Sequence, residues 1–248
     1  MTAAIAYALE LVTVAHVRDP RPNGGGAVVS TTSLSLATWE GDDLTLRACA
    51  VKTTPVLGTR TTYGPAFVSA APVVHARASY QGDTVSIGPW DAPFGVGDDD
   101  DDGNPGVTVH VEHVLLGAGD IYLSQATRTL LVGTWSPSGE LSGLATVEAE
   151  PSVLGASTWW LRLPIGLRAV PSASTFRLVP IGEATCAAVD GALASSTASG
   201  EIRPGSPAGR EDGAVDRDRG RGLERSLGVA QRFVRARRRL RLRAHARP

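Results

Sequence analysis

The sequence predicts an all-β, antiparallel domain of about ten strands, built as a barrel or as a sandwich and followed by a disordered C-terminal tail. Apolar and polar residues alternate with a period of two through most of residues 4–181, as they do in half-buried strands. The segments between these runs are short and carry the Gly, Asp, Ser and Pro residues that tight turns need. None is long enough for the crossover helix of a parallel sheet, so the strands are predicted to be antiparallel.

The first predicted strand covers residues 4–17, where Ile5, Tyr7, Leu9 and Leu11 fall on one face. Residues 184–196 predict one short helix after the last strand, because the alternation stops there. The other predicted strands cover residues 27–39, 44–51, 73–80, 84–90, 107–116, 121–135, 141–150, 158–164 and 174–181.

Charge divides the chain into two parts. Residues 1–200 carry ten basic and nineteen acidic residues, a net charge of −9, whereas residues 201–248 carry fourteen arginines and six acidic residues, a net charge of +8. We therefore predict an antiparallel β domain over residues 1–195 and a disordered, Arg-rich tail over residues 196–248. No run of eighteen uncharged apolar residues occurs, so no transmembrane helix is predicted.

An aspartate run offers a candidate metal site. Asp98, Asp100 and Asp102 stand at the first, third and fifth ligand positions of an Asp-x-Asp-x-Asp-Gly calcium loop, and the carbonyl of Asn104 is a fourth candidate ligand. The bidentate Glu of an EF-hand is missing, since Val109 occupies the twelfth position. Weak calcium binding is one interpretation of this loop, and a solvated acidic turn that binds nothing is the other.

The same region resembles a class of bacterial proteins. Asp-Gly-Asn-Pro-Gly-Val-Thr-Val at residues 102–109, Gly-Asp-Ile-Tyr at 119–122 and Ser-Val-Leu-Gly-Ala at 152–156 are similar to uncharacterised envelope proteins. Those are exported or lipid-anchored all-β proteins with an acidic Asp-Gly-x-Pro-Gly loop. The resemblance implies a secreted protein or lipoprotein, but no intact signal peptide is expected, because no positive charge precedes the first apolar run and Glu10 interrupts it.

A second similarity concerns the barrel alternative. Gly-Thr-Trp at residues 133–135 matches the Gly-x-Trp found near the start of lipocalin-like barrels, although here it lies late in the chain. A closed, lipocalin-like barrel implies a lumen that holds a small apolar ligand, so ligand carriage is an alternative function.

The two cysteines leave two states open. Cys49 lies in a predicted strand and Cys186 follows the last one. In an exported protein the two thiols would pair and tie the closing segment to the sheet, whereas in a reducing compartment they would stay free and buried.

No motif indicates catalysis. The chain has no Gly-x-Ser-x-Gly elbow, no phosphate-binding loop, no His-Glu-x-x-His and no Rossmann glycine pattern. His110 and His113 are predicted to face opposite sides of their strand, which prevents both from ligating one metal, while His110 and Glu112 share a face. We therefore predict no catalytic or cofactor-binding residues and a non-catalytic binding or structural role in the envelope or outside the cell, with an envelope component as a candidate partner.

The Arg-rich end supports another alternative function. Residues 232–243 would bind polyanions, either nucleic acid or anionic membrane, if the tail were functional. Deleting residues 197–248 would then abolish a strongly salt-dependent binding. The acidic domain would repel the same polyanions, which argues against nucleic acid as a partner.

Overall fold

The structure, a computed structural model, describes residues 4–18, 27–162 and 166–199. The described helices are α1 (Pro65–Ala70), α2 (Cys186–Ser199) and two 3-10 helices, Trp159–Arg162 and Pro171–Ala173. The strands are β1 (Ile5–Arg18), β2 (Ala27–Glu40), β3 (Asp43–Thr53), β4 (Thr59–Thr62), β5 (Val74–Gln81), β6 (Thr84–Phe94), β7 (Val107–His113), β8 (Gly117–Trp135), β9 (Leu141–Ala156), β10 (Gly166–Ala169) and β11 (Thr175–Pro180).

Eight of these strands close into a ring. Hydrogen-bonded neighbours follow the order β8, β6, β5, β3, β2, β1, β11 and β9, and β9 pairs again with β8. Every pairing is antiparallel. Of the two predicted architectures, a barrel and a sandwich, the closed ring corresponds to the barrel.

The remaining strands extend this ring locally. β7 pairs with the first residues of β8, and β6 pairs with the later residues of the same strand. β4 pairs with the other edge of β7. β10 pairs with the last residues of β1. The long strand β8 therefore belongs to both the ring and a smaller sheet beside it.

The interior of the ring is filled by side chains. All eight ring strands contribute to one apolar cluster of sixteen buried residues, and side chains from every strand of a ring can meet only on its inner side. Ile87, Leu131 and Leu141 in this cluster have no exposed surface. Alternation along the sequence thus sorts the side chains between the interior and the outer surface.

A bulge in β3 determines the position of Cys49. Ser35 of β2 pairs with Ala48, but its neighbour Leu34 pairs with Ala50, so Cys49 is left without an opposite residue. A residue inserted in this way bends its strand and changes the direction of nearby side chains.

Cys49 bonds to Cys186, 137 residues later, at the first residue of α2. Of the two states that the sequence left open, the structure has the disulfide. The bond holds α2 over the outer face of the ring, where an apolar cluster of Ala8, Leu34, Leu36, Val189 and Leu193 is buried beneath it.

The small sheet has its own core, which we call the satellite cluster. It consists of five buried residues contributed by β7, β8, β9 and a 3-10 helix, with partly buried aromatic residues around them. Its buried members are Val109, Val111, Ile121, Ala156 and Leu161.

Three details of the sequence prediction are corrected. A strand was predicted for residues 158–164, but Trp159–Arg162 form a 3-10 helix. Thr59–Thr62 and Gly166–Ala169 form strands that were not predicted.

The predicted helix is present, as Cys186–Ser199, and runs four residues past the predicted domain boundary at residue 195. The predicted disordered tail lies, from residue 200 onward, outside the described part of the chain. Neither α1 nor α2 has the length and apolar character needed to cross a bilayer as a helix.

Candidate metal centre

The acidic loop joins the end of β6 to the start of β7. The amide of Asp99 donates to the carbonyl of Gly106 (3.1 Å), and the amide of Gly106 donates to the carbonyl of Gly97. Gly106 has a φ of 90°, and a Cβ at this position would collide with the carbonyl oxygen of Leu123 on β8. The loop can therefore pack against β8 only with glycine at this position.

Three aspartates of the loop converge. Asp98, Asp100 and Asp102 each offer a carboxylate oxygen, and these oxygens lie within 4.8 Å of one another. Asp98 and Asp102 are exposed and Asp100 is partly buried. Among the described residues, the ion pairs all involve other carboxylates, so no arginine or lysine there neutralises the three.

Two of these carboxylates also hold the loop in shape. Asp98 accepts the amide of Asp102 at Oδ1 (3.1 Å) and the amide of Gly103 at Oδ2 (2.9 Å). Asp102 accepts the amide of Asn104 at Oδ1 (2.8 Å) and a short hydrogen bond from the Thr108 hydroxyl at Oδ2. Each oxygen keeps a second lone pair that a cation can use.

Asp100 differs from the other two. Its Oδ2 accepts the backbone amide of Thr108 (2.8 Å), whereas its Oδ1 is buried and has no hydrogen-bond partner. A buried carboxylate oxygen without a partner is costly, because it has given up its water and gained nothing in return. A bound cation would compensate this oxygen.

The other two aspartates of the run lie outside the cluster. Asp99 accepts the amides of Gly95 (2.8 Å) and Gly97 (3.1 Å) and so closes the start of the loop. Asp101 has a φ of 56°, a left-handed conformation that Asp and Asn tolerate better than most residues.

Hydrogen bonding lowers the pKa of Asp102 below its ordinary value of 3.8, chiefly through the Thr108 hydroxyl and then through the amide of Asn104. Both donors stabilise the ionised carboxylate. Asp102 therefore keeps the charge that a cation needs to lower pH than an ordinary aspartate does.

The other residues that were considered as metal ligands do not bring a carboxylate to the aspartate cluster. Asn104 joins the loop through its backbone amide. Val109, at the twelfth position of the loop, is buried in the satellite cluster. Glu112 lies 3.7 Å from His110 Nε2, and Asp120 lies 2.8 Å from His110 Nδ1, so these acids form a separate exposed group.

Thr108 is the residue of this site that sequence analysis missed. Its amide and its hydroxyl contact two different aspartates of the cluster. A threonine in an alternating strand is ordinary, and only the fold of the loop back onto the start of β7 gives it this role.

A shallow depression of about 390 Å³ lies elsewhere, on the outer surface where β1, β9 and β11 meet. Arg177 crosses it and pairs with Glu10 (3.0 Å) and Glu140 (3.9 Å). Its charged groups are thus engaged with one another.

Comparison of the chain with protein-family models, with curated proteins and with solved structures found no match.

Proposed function

We propose that this chain is a non-catalytic β-domain of the cell envelope or the extracellular space, with a binding or structural role, whose acidic loop binds Ca²⁺. Two observations carry the metal proposal: the carboxylates of Asp98, Asp100 and Asp102 converge, and Asp100 has a buried oxygen without a hydrogen-bond partner. Hard oxygen ligands of this kind suit Ca²⁺, and water would complete the six to eight ligands that the ion takes.

The proposed location is supported by the disulfide between Cys49 and Cys186. Disulfides persist in oxidising compartments and are rare in the cytosol. Calcium is abundant outside cells, where loops with affinities of about 10⁻⁴–10⁻³ M are occupied.

A binding or structural role is supported by the packing of the ring. Its interior holds an apolar cluster of sixteen buried residues, which leaves the outer surface and the loops as the places for contact. This packing favours a surface role over the carriage of an apolar ligand in the lumen.

The test is a calcium titration of the melting temperature. After treatment with EDTA, about 10 mM Ca²⁺ should raise the Tm by several degrees, as expected for a site with an affinity near 10⁻⁴–10⁻³ M. Asp100→Asn removes one of the three carboxylate charges of the cluster and should abolish most of this increase.

Asp101→Asn is the matched control. It removes one charge from the same loop but lies outside the cluster, and asparagine tolerates the left-handed φ of this position. It should keep the calcium response. A Tm that does not change with Ca²⁺, or an equal response to Mg²⁺, or an equal loss in both variants, would reject the site.

A further inference from the structure

The turn between β7 and β8 exposes three consecutive aliphatic residues. Val114, Leu115 and Leu116 are 80%, 86% and 52% exposed. Single exposed apolar residues are common on soluble proteins, but a contiguous exposed patch usually marks a contact surface.

Two further exposed apolar residues are each next in the chain to a residue that contacts this turn or the strand end before it. Leu57 is 51% exposed and precedes Gly58, whose carbonyl accepts the amide of Val114 (3.0 Å). Trp159 is 76% exposed and precedes Trp160, which contacts the strand end that leads into the turn. We call Leu57, Val114, Leu115, Leu116 and Trp159 the apolar tip.

The backbone amides of the turn are satisfied within the protein. Val114 donates to the carbonyl of Gly58 (3.0 Å), while Leu115 and Leu116 both donate to Nδ1 of His113 (3.1 and 3.2 Å). Because these three donors already have partners, the turn can leave water without exposing unpaired amides to an apolar medium.

The charges around the tip also favour an apolar medium bordered by phosphate groups. The segments 54–58, 114–119 and 157–161 contain no charged residue. The next charged residues after the first and third segments are Arg60 and Arg162, both exposed. Long basic side chains in this position can reach phosphate groups while their neighbours are buried.

The acidic residues that flank the turn in the sequence, Glu112 and Asp120, contact a histidine. Glu112 and Asp120 both lie against His110, at 3.7 and 2.8 Å from its two ring nitrogens. They therefore do not place carboxylates among the aliphatic side chains of the turn.

We infer that the apolar tip inserts into the interface of a lipid bilayer. An exposed apolar turn can be buried either in a matching groove of a partner or in a deformable apolar phase. A bilayer is such a phase, and it requires no specific partner. Tryptophan side chains are enriched in the headgroup region of bilayers, and the exposed Trp159 would lie there if the tip inserted. The surface depression at Glu10 and Arg177 is charged, so it is a poor receptor for the tip of a second copy.

This inference does not depend on calcium. The acidic loop precedes Val107, at one end of β7, and the apolar tip follows His113, at the other. Removing Ca²⁺ therefore tests the proposed function without testing the tip.

The experiment measures co-flotation of the full-length chain with phosphatidylcholine vesicles in a buffer that contains EDTA and about 0.5 M NaCl. The salt screens long-range electrostatic attraction between the vesicles and the Arg-rich end. The chain should float with the vesicles. Leu115→Ser should weaken partitioning about tenfold, because a leucine side chain is lost from the buried surface. Since Leu115 is 86% exposed, this variant should keep the wild-type Tm.

Ile5→Ser is the matched control. Ile5 is 52% exposed and pairs with Trp39, whose ring contacts Trp135 at the end of β8 opposite to the β7–β8 turn. This variant should float like the wild type. The inference is overturned if the wild type stays with the soluble fraction, if Leu115→Ser floats equally well, or if Leu115→Ser instead dissociates a self-associated form in the absence of lipid.

Discussion

Two glycines that face each other show how closely the ring strands approach. Gly133 of β8 pairs with Gly143 of β9. A Cβ at Gly143 would collide with the carbonyl oxygen of Val132, and a Cβ at Gly133 would collide with that of Ser142 and with the ring of Phe176. The absence of side chains lets Phe176 lie over the two strands inside the core.

Gly143→Ala should therefore destabilise the domain by at least about 1–3 kcal/mol, because backbone atoms cannot move aside as a flexible side chain can. The measurement is the denaturant midpoint in urea. Gly64→Ala is the control, since a Cβ there meets nothing within 4 Å and its φ of −73° suits alanine. Equal stability of the two variants would contradict the close approach.

At the acidic loop, the sequence predicted some features and only the structure shows the others. The spacing of Asp98, Asp100 and Asp102 predicted that their carboxylates would serve one site, and the structure brings them together. The role of Thr108 and the burial of Asp100 depend on how the loop folds against β7, which the local sequence does not specify.

At the scale of elements, the sequence predicted α2 and left its attachment to the sheet open. The end of the strand alternation predicted a helix there, and Cys186–Ser199 form one. Which face of the ring α2 covers depends on the bulge at Cys49 and on the outward-facing residues Leu34 and Leu36 of β2.

Removing the disulfide should lower the free energy of unfolding by about 5 kcal/mol, because the bond closes a loop of 137 residues and restricts the unfolded chain. Cys49→Ala and Cys186→Ala should each lower the Tm, and the double variant should lower it no further than either single variant. A reducing agent should reproduce the effect on the wild type and leave the variants unchanged. Additive losses would show that the thiols act separately.

The two strands that sequence analysis missed have a common cause. Thr59–Thr62 and Gly166–Ala169 have four residues each, too few for a period of two to stand out. Trp159–Arg162 are rich in residues that favour strands, but they lie where β9 has ended and the chain covers the satellite cluster, so tertiary packing overrides that preference.

For the whole molecule, the two separate cores imply two levels of stability. The ring strands share one cluster of sixteen buried residues, whereas β4 and β7 depend on the five of the satellite cluster. A small core at the edge of a large one can open by itself, without global unfolding.

Hydrogen exchange followed by mass spectrometry should therefore detect faster exchange in β4 and β7 than in β1, β2 and β8 beyond residue 125. If the acidic loop binds calcium, Ca²⁺ should slow exchange at the start of β7, because Thr108 donates to the aspartate cluster. Uniform protection across all of these strands would show a single cooperative unit instead.

The sequence by itself determined the class of the fold, the order of most strands and the residues of the acidic cluster, because alternation and turn residues act over short stretches of chain. Only the tertiary structure decided that the strands close into a ring, that Cys49 meets Cys186, and that Gly58 bonds to Val114 while Trp160 contacts His113. These features join residues far apart in the chain, and their contacts form only when strands distant in the sequence come together.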